Sequence, residues 1–170
     1  PVSYNLLGEA FLGIWNRYDG YRYFLLAYSG YLAPSNVANT VFYPLYPMLI
    51  RLLWKLTGVD IIVISLVLST LTAFFAFYML FVTVRDLYGE NSARWAVICL
   101  ALYPTSLFLV GPYTESLFLG LTLTALYLAR KDRWLLAGLA GTLASLTRGP
   151  GVFTAFALAW IAFLQWKSMG

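Results

Sequence analysis

IIVISLVLSTLTAFFAFYMLFVTV, residues 61–84, carries no charged side chain along its whole length. As a helix rising roughly 1.5 Å per residue it extends about 36 Å, more than the hydrocarbon thickness of a bilayer. This stretch decides the fold, because an uncharged run of that length is a membrane-spanning helix. The chain around it agrees: its 170 residues are 61% hydrophobic and 11% charged, with a mean hydropathy of +0.76. That composition excludes a water-soluble globular domain.

Downstream, 95–114 is uncharged and 116–129 continues after Glu115, with Gly111 and Pro112 just before the break. The pattern predicts a hairpin of two membrane helices turning at 111–115. Segments 134–147 and 152–166 flank Arg148-Gly149-Pro150-Gly151 in the same way. Each half is short for a span, so a second hairpin and one kinked helix both fit. Ala137, Gly141 and Ser145, spaced i, i+4 and i+8, predict a close helix-packing face. Residues 59–170 are thus expected to form one transmembrane helix domain of about five spans.

The first 58 residues are aromatic and polar, and too broken to span. One short helix is expected over 20–29, stopped at Gly30, and a second over 47–57. In the second, Leu49, Leu52, Leu53 and Leu56 fall on one side and Arg51 and Lys55 on the other. Such a helix suits the membrane interface, with Trp54 as anchor. The chain opens at Pro1 and stops at Gly170 just past an apolar run, so it reads as the N-terminal part of a larger protein, with further helices expected.

Loop charge predicts the orientation. Arg85, Arg94, Arg130, Lys131, Arg133 and Lys167 gather near membrane ends on one side, against Arg51, Lys55 and Arg148 on the other. The positive-inside rule puts the 85–94 and 130–133 loops in the cytoplasm, and 1–58, 111–115 and 148–151 outside. The net charge of +4 therefore reads as topology control and not as a nucleic-acid footprint. With no histidine, and Cys99 as the lone cysteine, His-based acid/base chemistry, triads, Cys-cluster zinc and an internal disulfide are excluded. No metal or cofactor is expected.

Three polar clusters fall on the exterior face: Arg17-Tyr18-Asp19 with Arg22, the 112–116 turn, and 148–151. Asp19 is expected to cap the 20–29 helix or to serve as a general base at the membrane lip; the two roles are compatible, since a cap also fixes a carboxylate. Glu115 is either a solvated hairpin residue or a functional carboxylate, costly if it lies at membrane depth. Arg148 is either a snorkelling end residue or a phosphate-gripping fork beside backbone amides that glycine leaves approachable.

The chain also resembles a known family. Phe11-Leu12-Gly13, Arg17-Tyr18-Asp19, Ala27-Tyr28-Ser29-Gly30-Tyr31 and Phe42-Tyr43-Pro44-Leu45-Tyr46-Pro47 follow the order of motifs in the glycosylphosphatidylinositol mannosyltransferase II family, prokaryotic relatives included. Tyr103-Pro104-Thr105-Ser106, the run from Pro112 to Phe118, and Thr147-Arg148 followed by Gly151 continue the resemblance along nearly the whole chain. It implies a C-type (GT-C) membrane glycosyltransferase that uses a polyprenyl-phosphate sugar, commonly a mannose donor, on the non-cytoplasmic face. Asp19 matches the catalytic Asp of the first exterior loop. Tyr18 stands where the family has Trp, and Gly149-Pro150 where it has Ser-Asn, a change that removes side-chain hydrogen bonds near Arg148.

The resulting expectation is an inverting hexose transfer to a lipid or glycan hydroxyl. Asp19 is the base, while Arg17, Tyr18, Arg22, Tyr113, Glu115 and Arg148 form the substrate site. A prokaryotic plasma membrane is favoured over the endoplasmic reticulum. The rival is a lipid or small-molecule transporter, or a non-catalytic membrane partner, whose ionisable groups should lie near mid-membrane on broken helices.

Overall fold

The computed structural model describes residues 18–33 and 41–169, and among these every regular element is helical. Helix α1 covers Tyr18–Ser29 and α2 Leu45–Thr57. The long helix α3 runs Ile61–Tyr88, 28 residues, about 42 Å. It is followed by α4, Glu90–Leu102, a 3₁₀ turn over Pro104–Ser106, and the single turn α5, Leu107–Val110. Then come α6, Glu115–Arg130, and α7, Trp134–Ser145. A 3₁₀ turn over Gly149–Val152 leads into α8, Phe153–Met169.

Two helical stretches, Ile61–Tyr88 and Gly149–Ser168, are long and apolar enough to cross a membrane, and a third counts if the bent pair Glu90–Leu102 and Pro104–Val110 is one span. Helices α6 and α7, with 16 and 12 residues, fall short of the roughly 20 that a bilayer asks for. The outer faces suit lipid: Val67, Leu71, Phe74 and Tyr78 of α3, and Phe156, Trp160 and Trp166 of α8, are exposed.

The 95–114 segment is not one helix. Pro104 has no N–H and pushes the preceding residue out of the α region. Tyr103 is accordingly extended at φ −66°, ψ 135°, and the chain bends by 74° there. Helix starts also differ from expectation. Helix α1 begins at Tyr18, so Asp19 lies inside its first turn and is not the N-cap. Helix α2 begins at Leu45, because Pro47 is tolerated within a first helical turn. The ends match: Gly30 and Gly58 take left-handed φ of 79° and 67°, closing α1 and α2. Asp60 then starts α3, its Oδ1 accepting from the Ile62 amide at 2.8 Å.

The 134–166 region is a hairpin. A Cβ built on Gly141 of α7 would lie 3.3 Å from Leu158 Cδ1 of α8 and 4.0 Å from Ala125 Cβ of α6, so α7 folds back between both neighbours. The predicted packing face is present and rotates slightly, with Ala137, Ala140, Gly141 and Ala144 buried and Ser145 at its margin. It seats on α6, the most extensive helix pairing.

The α2 face is wider than the leucine stripe suggests. Tyr46 and Ile50 are fully buried with Tyr23 and Ala27 of α1, Ile64 of α3 and Leu117 of α6, while Leu49 and Leu53 pack partly against them. Leu52 and Leu56, with Met48, stay exposed, and the Arg51 guanidinium turns to Gly30 at the end of α1. Loops separate into two ends. Lys131 Nζ meets Asp86 Oδ1 at 2.9 Å and Gln165 Nε2 donates to the Ala129 carbonyl at 3.2 Å, so the basic loops share one end. The Leu45 amide donates to the Leu146 carbonyl at 2.9 Å at the other.

Candidate functional site

At that second end, the start of α6 is fastened to α3 by hydroxyls. The Tyr46 phenol and Ser69 Oγ lie 2.7 Å apart, Thr72 and Ser116 hydroxyls 2.8 Å apart, and Ser116 Oγ donates to the Ser69 carbonyl at 3.2 Å. Ser69 Oγ also reaches the Tyr113 carbonyl at 3.4 Å. Within an apolar interior these bonds have no water to compete with them, so they fix where the 111–115 turn sits. The turn is tight and buried: Gly111, Pro112 and Thr114 are all inaccessible, and the Tyr113 amide donates to the Gly111 carbonyl at 2.7 Å.

The second wall is the turn between α7 and α8. Arg148 is extended, φ −154° and ψ 151°, and its carbonyl accepts from the Gly151 amide at 2.9 Å. Gly151 has no alternative, since a Cβ there would lie 2.5 Å from the Ala144 carbonyl oxygen and 2.6 Å from Ser145 Cα. Gly149 lies under Tyr43, whose hydroxyl would be 3.2 Å from an added Cβ.

These two walls bring Glu115 and Arg148 together, Nη1 to Oε1 at 2.5 Å, with the side chains 31% and 38% exposed respectively. Glu115 Oε2 is buried and accepts no hydrogen bond among the described residues. Tyr23 of α1 closes the site from a third direction. Burial raises the pKa of its phenol, against a smaller opposing pull from a hydrogen bond with Thr114. The charges of Asp19, Glu115 and Arg148 all bear on this hydroxyl. Tyr23 is held edge-on between Phe42 and Tyr46, with centroids 5.2 and 5.3 Å away. It therefore stays a neutral hydroxyl amid two carboxylates and a guanidinium.

Of the residues singled out in the sequence, Glu115 and Arg148 are brought together as an ion pair, and Asp19 is exposed on α1, one helical turn before Tyr23. Arg22 is exposed and stacks over the Phe42 ring at 5.8 Å, one turn along α1 from Asp19. Tyr113 turns its ring onto Phe108, centroids 5.2 Å apart, and contributes its carbonyl to the α3 network. Arg17 and the Tyr18 side chain lie outside the described residues. Sequence reasoning did not single out Tyr23, and it held Thr114 only as part of the 112–116 turn and Tyr43 only as part of a family motif. Tyr23 was findable, being four residues after Asp19 and so on the same helical face.

No group of three or more His, Cys, Asp or Glu that could hold a metal occurs among the described residues. The chain is all-helical in its described part, with two helices, or three, fit to span a membrane, and a charged, hydroxyl-rich site at one end. Compared with protein-family models, curated proteins and solved structures, it matches none.

Proposed function

We propose that the protein is a membrane glycosyltransferase. It moves a hexose, with mannose as the leading candidate, from a polyprenyl-phosphate donor to a hydroxyl of a lipid or glycan acceptor on the non-cytoplasmic face, with inversion. The observation that carries this is the Glu115–Arg148 ion pair at the end of the helices where the start of α6 meets the turn before α8, with Tyr23 of α1 close enough to feel both charges and that of Asp19. Inverting transfer needs a base on one side of the sugar carbon and charge stabilisation for the leaving phosphate on the other. Asp19, exposed at the rim, takes the acceptor proton as the new carbon–oxygen bond forms. The bond from that carbon to the phosphate oxygen breaks, and both electrons leave with the polyprenyl phosphate.

Arg148 has spare capacity for that phosphate, since a guanidinium carries five N–H donors and the Glu115 pair engages one nitrogen. Glu115 aims the guanidinium, and Tyr23 offers a hydroxyl that does not ionise at working pH. The resemblance of the motifs around Asp19, Glu115 and Arg148 to the mannosyltransferase family points the same way. The bend at Tyr103-Pro104 is the one feature that favours the transporter rival, because interrupted helices often frame transport sites.

The deciding experiment is transfer from radiolabelled polyprenyl-phosphate mannose in membranes holding the full-length protein, with wild type and Asp19→Asn at equal expression. Loss of about 100-fold fits removal of a general base. Unchanged transfer in the variant overturns the role of Asp19, and absence of transfer by the wild type overturns the assignment of this donor.

A further inference from the structure

At the end opposite the Glu115–Arg148 pair, the turn between α6 and α7 walls a cleft of about 480 Å³, lined by Tyr127, Leu128, Lys131 and Arg133. That volume lies within the roughly 300–1,000 Å³ of ligand pockets. The turn holds its shape through its backbone. The amides of Lys131 and Asp132 donate to the Leu128 and Ala129 carbonyls, both at 3.1 Å, and the Arg133 amide donates to the Leu128 carbonyl at 2.9 Å. Asp132 takes the left-handed region at φ 59°, which Asp tolerates better than most residues. On either side of it Lys131 and Arg133 both line the cleft, and Asp132 does not.

The two cations are within reach of a ligand and have donors to spare. The Lys131 side chain is 42% exposed; its Nζ gives one hydrogen bond to Asp86 Oδ1 at 2.9 Å and lies 5.6 Å from the Tyr127 ring centroid, which leaves two N–H donors. Arg133 is exposed and has no carboxylate partner among the described residues. Asp86 offsets part of the Lys131 charge, so the cleft stays positive through Arg133. Nearby, Glu90 is taken by Arg94, while Arg130, next to Lys131 in the chain, is exposed and adds charge of the same sign.

Such a site selects an anion, and its surroundings select one carried by a lipid. Tyr127 and Leu128 make the apolar part of the wall. Helix α7, which starts at the residue after Arg133, presents Leu135, Leu139 and Leu143 as an exposed row at i, i+4 and i+8. A soluble phosphate gains nothing from that row, whereas acyl chains cover it. Loop charge predicts this end to be cytoplasmic, the side whose leaflet carries anionic lipid.

We propose that the cleft binds the phosphate of an anionic glycerophospholipid, Lys131 and Arg133 donating to its oxygens and the acyl chains lying along the leucine row of α7. The site stands apart from the transferase function proposed above.

The test uses the full-length protein in detergent micelles titrated with phosphatidylglycerol or with phosphatidylcholine of the same chains, native mass spectrometry counting the lipids retained. The wild type holds one phosphatidylglycerol about tenfold more tightly than phosphatidylcholine, since each base near a lipid phosphate contributes about fivefold and Asp86 offsets part of the Lys131 share. In Lys131→Gln/Arg133→Gln the preference vanishes. Arg133→Gln alone leaves the Asp86 pair in place, guards against misfolding of the double variant, and lowers the preference about fivefold. Arg94→Gln/Lys167→Gln removes the same charge away from the cleft and keeps it.

Equal retention of the two lipids by the wild type overturns the proposal. So does a loss in Arg94→Gln/Lys167→Gln as large as in the cleft variant, which would mark a diffuse effect of charge. Excess inorganic phosphate at matched ionic strength leaves the lipid bound; displacement would assign the cleft to a soluble anion and overturn the lipid.

Discussion

Arg148 Nη1 and Glu115 Oε1, 2.5 Å apart, join the turn before α8 to the first residue of α6. Each side chain is about one-third exposed, so water weakens the attraction without cancelling it. The pair also serves as a latch, because neither residue has another ion-pair partner among the described residues. Arg148→Ala and Glu115→Ala are each expected to destabilise by about 1–2 kcal/mol, and the double variant by less than the sum. Unfolding by SDS titration in mixed micelles measures this, and additive losses would show that the two do not act as a unit.

Glycines 138 and 151 lie on the same hairpin and predict opposite outcomes. Gly151→Ala drives a methyl to 2.5 Å from a backbone oxygen, which only a shift of the whole turn can relieve. Nothing lies within 4 Å of a Cβ at Gly138, inside helix α7. Gly138→Ala should therefore stabilise by up to about 1 kcal/mol through helix propensity. Thermal melting of both variants against wild type checks the pair, with Gly151→Ala melting well below it.

Tyr46 is wholly buried, and its hydroxyl meets Ser69 Oγ at 2.7 Å. Tyr46→Phe keeps the ring packing and deletes that bond, at an expected cost of about 1 kcal/mol. Because Ser69 also holds the Tyr113 carbonyl, Ser69→Ala should cost more and loosen the 111–115 turn. Faster hydrogen exchange at 113–116 in Ser69→Ala than in Tyr46→Phe is the measurement.

Tyr31 outside the spanning helices gives an alkaline signature. Burial, with a smaller contribution from Tyr23 once its own phenol ionises in alkali, pushes its pKa up to about 12 from 10.0, and its hydroxyl donates to the Phe42 carbonyl at 2.9 Å. The folded state thus favours the neutral phenol. Its contribution to stability is fully present below pH 10 and lost as pH rises through about 12. Tyr31→Phe should remove part of the alkaline destabilisation, read as a shallower fall in melting temperature across that window.

The long helix was legible because a charge-free run of that length has one stable environment, and Gly30 announced the end of α1 through a backbone angle that glycine adopts without strain. Pro104 was in plain view, yet hydropathy averages over it, so the bend at Tyr103 was read as continuous helix. Asp19 moved inside its helix because chain ends fray by a residue or two and no local signal marks the first turn. The hairpin at Arg148 needed the third dimension: only Gly141 touching Leu158 decides it. For the site, the charged residues declared themselves as rare polar letters in apolar text. Tyr23 did not, since tyrosine is common at membrane boundaries and only burial among charges distinguishes it.

Helix α7, at 12 residues, covers about 18 Å, roughly 12 Å less than the hydrocarbon slab. The neighbouring α3, at 28 residues, exceeds the same slab. A bilayer accommodates a span shorter than its hydrocarbon thickness by thinning locally. A bilayer around these helices would be thinner beside α7 than beside α3, so the fold itself would set the local thickness of its membrane.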